Sequence, residues 1–300
     1  MFPSASKELK EDPYLTSLKL FRKKSSVRKV IMDYAEYIAA HTMRHLSKDC
    51  LKSAVFRVLG VGSGHGQTDL RILAAVAKAI ESSEKRGAVI HSTIIEPSTM
   101  ITEFKTTVSS CLPQPLTDLA DFSFQWHETT LQKFIDSYSP EIECFELVHF
   151  VASLYYMDAE TSLVNCYKRL VSGGAIFCTL GPEDSFFPKL SRKLQGLVDL
   201  GSTKKLHTEV DFIDITKRNN WKYEELSKAH YTVDVSSCFD ESSTEGQLLL
   251  DFLTHKQDFR VTADRMLYKD VMEFLNEESF TDENGKKLVK PEFIAFVIYK

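Results

Sequence analysis

An α/β fold with a mainly parallel central sheet is the architecture this chain predicts, and three observations predict it. An apolar run, Val55–Val61, breaks into glycines at 60, 62, 64 and 66, and a helical pattern starts at Thr68. Further apolar, strand-like runs then alternate with helical periods as far as Leu180. Near the C-terminus an apolar run, 293–299, follows an Asn284-Gly285 turn. Strands separated by helices imply parallel pairing through right-handed crossovers. In such sheets ligands lie beyond the carboxyl ends of the strands.

The first element is an N-terminal stretch, residues 1–50. Pro13-Tyr14 opens a helix with Tyr14, Leu18 and Phe21 on one face. A basic run, Arg22-Lys23-Lys24, and Ser25-Ser26 lead into a second helix carrying Val30, Ile31, Tyr34, Ile38 and Met43. The basic run reads first as a solvated helix end. The alternative is an arm that covers an active site and supplies aromatic walls. The glycine turn comes next. Glycine lets backbone approach a ligand where a Cβ would clash. A dinucleotide G-x-G-x-x-G fails in each frame, because His65 and Gln67 fall where the third glycine belongs. A P-loop fails for lack of Gly-Lys-Ser/Thr. What remains is an alternating G-x-G-x-G-x-G, which resembles motif I of class I S-adenosylmethionine (SAM) methyltransferases; the alternative is a plain tight strand-to-helix turn.

Leu70, Leu73, Ala77 and Ile80 follow with helical spacing, and 89–96 reads as the second strand, ending in Glu96 before Pro97. A carboxylate at that strand end suits the two hydroxyls of a ribose; a surface acid is the alternative. Residues 122–127 read as a third strand with a polar tip at Glu128-Thr129-Thr130. A fourth, 144–151, runs into Ala152-Ser153-Leu154-Tyr155-Tyr156. Asp158 is placed to N-cap a helix with Leu163, Cys166, Tyr167 and Leu170 on its face. Gly173-Gly174 is expected to end that helix, with 175–180 as the fifth strand. Gly62, Glu96, Thr130, Val151 and Tyr155 all fall at or past strand ends.

Residues 184–300 are less regular. Helices are expected over 190–200, 212–221 with a turn at Asn219-Asn220, 247–254 and 266–275, and strands over Lys222–Glu225, 231–235 and 293–299. The last strand, behind its hairpin turn, fits an antiparallel seventh strand.

Composition narrows the function classes. A net charge of −5 disfavours a general nucleic-acid binder. The six cysteines are irregularly spaced and form no C-x-x-C, so reduced thiols and no zinc site are expected. No signal-peptide core and no run of about 18 apolar residues is seen. A cytoplasmic monomer that binds neither membrane nor nucleic acid is the expectation.

Several segments together resemble the histamine N-methyltransferase family: 57–69, Ile-Ile-Glu-Pro-Ser at 94–98, 125–130, Leu154-Tyr155-Tyr156, Ser237-Cys238-Phe239, 249–254 and the closing Phe-Val-Ile. The similarity is colinear over nearly the whole chain. It implies a class I methyltransferase (Rossmann-like) fold, with a seven-stranded, mostly parallel sheet, an antiparallel last strand and a small helical/strand substrate cap. It divides a single domain, 1–300, into an arm (1–50), a SAM-binding core (55–183) and a cap with closing strands (184–300). SAM contacts are implied at Gly60, Gly62 and Gly64 in the turn, Glu96, Ile101 (across a one-residue gap), Thr130 and Val151. Aromatic walls are implied at Tyr14, Tyr155, Tyr156 and Phe252, with Phe187 where the family has tryptophan. The family's polar substrate contacts change: a glutamate falls on Val27, with Arg28 beside it, a glutamine on Ala152 and an asparagine on Glu292.

The expected reaction is methyl transfer from SAM to nitrogen of a small amine or imidazole, histamine-like. The acceptor nitrogen needs a free lone pair, and the protein supplies alignment and a dry pocket. An aromatic cage suits a cationic substrate, and Glu292 suits an ammonium or ring N–H. No general base and no metal ligand is assigned. Arg28 motivates an alternative, a zwitterionic imidazole of the carnosine or histidine type, because a carboxylate wants a cation. A protein or RNA methyltransferase lacks its Asn-Pro-Pro-Tyr-like motif here. A SAM-binding protein without catalysis is the remaining alternative.

Overall fold

The structure is a computed structural model; it describes residues 13–82, 89–110, 112–137, 144–194 and 206–300. The apolar runs form strands because alternate side chains can be buried on two faces at once. The strands are β1 (Val55–Val61), β2 (Val89–Ile95), β3 (Asp121–His127), β4 (Phe145–Phe150), β5 (Leu170–Leu180), β6 (Lys222–Glu225), β7 (Ala229–His230), β8 (Val233–Asp234), β9 (Phe280–Thr281), β10 (Lys287–Val289) and β11 (Glu292–Tyr299). The helices are α1 (Pro13–Lys24), α2 (Val27–His45), α3 (Lys48–Leu51), α4 (Gln67–Ser82), α5 (Met100–Ser110), α6 (Leu116–Leu119), α7 (Leu131–Ser137), α8 (Ala159–Lys168), α9 (Phe186–Leu194), α10 (Glu209–Arg218), α11 (Thr244–Thr254), α12 (Phe259–Thr262) and α13 (Arg265–Glu278).

The main sheet runs β3-β2-β1-β4-β5-β11-β6, with β7 added to the edge of β11. β1 to β5 pair in parallel, and β11 is antiparallel to both β5 and β6. The parallel core and the antiparallel last strand are as expected, while the short β7 makes the sheet eight-stranded rather than seven-stranded. Two apolar layers enclose it. Ile294, Phe296 and Ile298 of β11 face a layer with Leu163 of α8 and Phe212 of α10. Phe293, Ala295 and Val297 face the opposite layer, with α2, α4 and α11. A smaller sheet, β8-β10-β9, lies apart from it. Its β9–β10 turn has Gly285 at φ 77°, and Asp282 accepts hydrogen bonds from the Asn284 and Lys286 amides.

The N-terminal helices close over one face: α1 packs on α11 and α2 on α4. Asp158 caps α8 by accepting from the Thr161 amide at 2.7 Å. One expectation is corrected. α8 ends at Lys168, not at the glycine pair, and Leu170 begins β5 rather than belonging to the helix face. The Phe145 amide donates to the Arg169 carbonyl, and Phe145 pairs with Leu170, so pairing starts at once. Gly173-Gly174 lies within β5, beside a register shift between Phe145 and Leu147. Gly173 is at φ 77°, and a Cβ there would meet Ser47 Oγ at 2.2 Å. The pair is an irregularity in a strand, needed where α3 packs close. The helix expected over 190–200 is described as α9 up to Leu194, and its remaining expected residues lie outside those described, as does Cys111. Among the described residues no helix is long and apolar enough to cross a membrane.

Phe296 is fully buried and stacks on Phe212 with ring centroids 4.4 Å apart. Phe296→Ala is expected to cost about 3–5 kcal/mol through the cavity it leaves. Urea denaturation should show the midpoint fall with the slope m unchanged.

Candidate active site

The glycine turn leaves β1 at its carboxyl end. Gly62, at φ 71°, donates its N–H to the Ile95 carbonyl at 2.8 Å, which carries the chain from β1 toward β2. Gly60 and Gly66 are glycine for want of space: a Cβ at 60 would meet Asp69 Oδ1 at 2.5 Å, and at 66 the Phe104 ring at 2.0 Å. A Cβ on Gly62 would meet Ser153 at 2.5 Å, and the Ser153 hydroxyl donates to the Val61 carbonyl. Gly64 differs. A Cβ there would find nothing nearer than Met100 at 3.8 Å. The turn is therefore filled by protein on three sides and open at Gly64.

Glu96 braces this turn. One carboxylate oxygen accepts from the Gly64 amide at 2.8 Å and the other from the Ser98 amide at 2.8 Å. Each oxygen has two acceptor positions, so one remains on each. Glu96 is 5% exposed, sunk between the turn and β2.

Beneath the turn lies a group of polar residues that sequence reading did not single out. Ser63 Oγ donates to Asp69 Oδ1 at 2.6 Å, and His149 Nε2 stands 3.5 Å from the same oxygen. Burial pushes the Asp69 carboxyl up to about 7, against the Ser63 hydrogen bond that lowers it. Burial alone pulls the His149 imidazole down to about 3. Asp69 follows the glycines in the first turn of α4, and that acid was the available signal. His149 sits inside β4, a fully buried strand in which Glu146 is the other charged-type residue.

The other implied cofactor positions surround the turn. Val151 follows β4 and is half-buried. Thr130 is exposed at the start of α7, its Oγ1 accepting from the Lys133 amide at 3.3 Å. Ile101 is 1% exposed, with its side chain in the apolar core, so only its backbone is available to a ligand.

The aromatic positions form one connected cluster. Tyr14 and Tyr156 share a hydroxyl hydrogen bond of 2.9 Å, and the Tyr155 and Tyr156 rings are 4.6 Å apart. Tyr14 stacks on Phe252 at 6.2 Å. Phe21 links the rest, stacked on Phe252 at 4.2 Å and edge-on to Phe187 at 5.9 Å. Phe21 was legible only as a helix-face residue; its place at the centre depends on α9 and α11. Burial raises the Tyr155 phenol well above its ordinary value.

Arg22, read first as part of a solvated helix end, is instead half-buried beside this cluster. Burial lowers its pKa, and Tyr14, Arg28, Tyr155 and Tyr156 all act on it electrostatically. No hydrogen bond or ion pair to its guanidinium is found among the described residues. Arg28 is exposed and donates from Nε to Gln67 Oε1 at 2.8 Å, so the start of α2 touches the start of α4 beside the glycine turn. Burial lowers the His65 imidazole's pKa, as do Arg22 and Arg28, against Glu103. Cations from α1 and α2 thus reach the turn itself.

The three changed polar positions lie toward the same end of the sheet. Val27 is half-buried on the apolar core, beside Ser26, whose amide donates to the Thr232 carbonyl. Ala152 is in the left-handed region at φ 52°, and its amide donates to Thr179 Oγ1 at 2.8 Å. A side chain held there is strained by about 1–3 kcal/mol. Glu292 opens β11, where its carboxylate meets His230 Nδ1 at 3.1 Å and Lys228 Nζ at 3.5 Å. Its charge is already answered by the protein.

The buried pair gives a pH prediction. A carboxyl with a raised folded pKa binds protons more tightly in the folded state, so acidification from about pH 7 toward 4 favours folding. His149, with a lowered folded pKa, acts the other way: its stabilisation is present above about 6.5 and is lost as pH falls. Asp69→Asn removes only the first effect. Its melting temperature should therefore fall more steeply than wild type between pH 7 and 4.5, and parallel melts at stepped pH check this.

No protein-family model matches the chain. Among curated proteins it is similar to histamine N-methyltransferase of Danio rerio, 27% identical over 284 residues, covering 92% of this chain and 91% of that one. The enzyme of the same name from Bos taurus is 25% identical over 252 residues, covering 83% and 82%. A solved structure, loganic acid methyltransferase with SAH, is 11% identical with a TM-score of 0.52, covering 95% of this chain and 96% of that one; it bears on the fold alone. The turn suits the cofactor of that fold class. It is open at Gly64, and a braced carboxylate with two free acceptor positions lies at the end of β2. Strand order and turn give this chain the class I S-adenosylmethionine-dependent methyltransferase fold, and its sequence is similar to those of the histamine N-methyltransferases.

Proposed function

We propose that the protein methylates a nitrogen of a small amine or imidazole compound, with SAM as donor and a histamine-like acceptor. The connected ring cluster of Tyr14, Phe21, Tyr155, Tyr156, Phe187 and Phe252, held by residues past the carboxyl end of β4 and by helices α1, α9 and α11, carries this reading. SAM, when bound, supplies an electrophilic methyl group on sulfur. Gly62 and Gly64 offer backbone close to it, and Glu96 offers acceptors to its ribose hydroxyls. The rings exclude water, so the acceptor nitrogen keeps its lone pair free for in-line attack. The acceptor nitrogen would take the methyl group as the sulfonium leaves as a neutral thioether, with the nitrogen's proton released to water. No residue is needed as a covalent nucleophile.

A specific observation favours a second reading, in which the acceptor also carries a carboxylate, as in a zwitterionic imidazole of the carnosine or histidine type. Arg22 and Arg28 lie near one another beside the tyrosines, and Arg22 is half-buried without a counter-ion among the described residues. A substrate carboxylate would answer that charge. Glu292, by contrast, is engaged by Lys228 and His230, which weakens its case as an anchor for an ammonium group.

Two measurements test these readings. In calorimetry, Gly64→Ala is expected to weaken SAM binding, because its Cβ enters the open side of the turn; affinity equal to wild type would remove the turn from the cofactor site. Labelled SAM should then be assayed with histamine, carnosine, histidine and simple aryl amines. Activity only on non-imidazole amines would sink both imidazole readings. Arg22→Ala is expected to lower kcat/KM for carboxylate-bearing acceptors by about 10–100-fold, the worth of a hydrogen bond to a charged group, and to lower it far less for histamine. An equal loss on both acceptors would assign Arg22 to packing.

A further inference from the structure

The far end of the molecule carries a second cluster of ligating side chains. Tyr299 pairs with Ala175 and Lys222, at the end of the sheet opposite the glycine turn. There His41 and His45, one helical turn apart on α2, face Glu224 of β6. One ligating atom from each lies within 4.8 Å of the others. His41 Nε2 and Glu224 Oε2 are 2.9 Å apart, and the two imidazole centroids are 4.4 Å apart.

The hydrogen bonds around the cluster show which of its atoms are engaged and which are open to an ion. His45 Nδ1 is 2.9 Å from the His41 carbonyl oxygen. A carbonyl only accepts, so Nδ1 carries the proton, and Nε2 of the neutral ring keeps a free lone pair. This is the backbone-anchored arrangement common to metal-binding histidines. Glu224 Oε2 accepts from Tyr299 Oη at 3.0 Å as well as facing His41. Both contacts are donors to Glu224, which leaves its carboxylate as the acceptor of the cluster. Oε1 makes no hydrogen bond among the described residues. His45 is exposed and the Glu224 side chain is 38% exposed, so an ion can reach the cluster from solvent.

We propose that His41, His45 and Glu224 form a binding site for a divalent transition-metal ion of the Zn²⁺ class. Two imidazoles and a carboxylate, with water completing the coordination, match that ion's nitrogen and oxygen preference. Binding replaces the His41–Glu224 hydrogen bond: the His41 proton leaves Nε2 for Nδ1, and both partners turn to the metal. That competition weakens binding relative to a site whose ligands are already free. The site joins α2 to the β6–β11 edge. The other end of α2 carries Val27 and Arg28, so the ion fastens the helix that reaches the glycine turn.

The test is calorimetric titration of the full chain, free of any affinity tag, with Zn²⁺ alone, together with thermal melts at each point. One equivalent is expected to bind and to raise the melting temperature, as any ligand of the folded state does. His45→Ala, an exposed change, should keep the metal-free melting temperature and lose at least about ten-fold in affinity together with the metal-dependent rise. Glu224→Gln should behave in the same direction. Cys144 is an exposed thiol and a rival ligand; Cys144→Ser should bind as wild type does. No uptake by the wild type, uptake that survives both His45→Ala and Glu224→Gln, or uptake lost in Cys144→Ser would each overturn the site.

Discussion

The contact on which the rest of the site depends is the one between Glu96 and the Gly64 amide. It spans two neighbouring strands and fixes a loop that three left-handed glycines would otherwise leave free. The same carboxylate holds Ser98, so the end of β2 and the turn after β1 become one rigid edge. From below, Ser63, Asp69 and His149 fill the space a Cβ at Gly60 would need. The ligand-facing side is therefore shaped before any ligand arrives, and little ordering cost is left for binding.

The ring cluster proposed as the acceptor side is assembled in a different way. Its rings come from α1, the turn after β4, α9 and α11, elements far apart in the chain. Its cations come from α1 and α2. A chain with a net charge of −5 thus presents a local positive group to the site. Net charge describes long-range behaviour; it says nothing of a guanidinium half-buried among tyrosines. Helix α2 links the two ends of the molecule. Its first residues meet α4 beside the turn, and its last turn carries an imidazole pair against β6 and Tyr299.

Much of the fold was legible in the sequence. β1 matches its apolar run residue for residue, β2 to β4 lie within one residue of their expected ends, and β11 begins one residue early. β1, β2 and β4 are largely buried in the sheet, so their signal is a mainly apolar run, whereas the edge strand β3 shows itself by alternating aromatic and polar residues. The cap at Asp158 was legible because capping is a contact between near neighbours. Gly173-Gly174 misled for the opposite reason. Helix end and strand irregularity both favour glycine, and only Ser47, distant in sequence, decides between them.

What the sequence determined by itself was the parallel α/β architecture and the glycine turn with its acid on the next strand. Each is written in local periodicity or in the steric freedom of glycine. Tertiary structure alone decided which charges remain free. Arg22 lost its place in a solvated run, Glu292 acquired Lys228 and His230, and Asp69 was buried beneath the turn. The histidines at 41 and 45 were one helical turn apart in the sequence, but the carboxylate that faces them comes from a strand beyond α10. Partnership between charges depends on distance and desolvation, and neither is set until elements remote in the chain pack together.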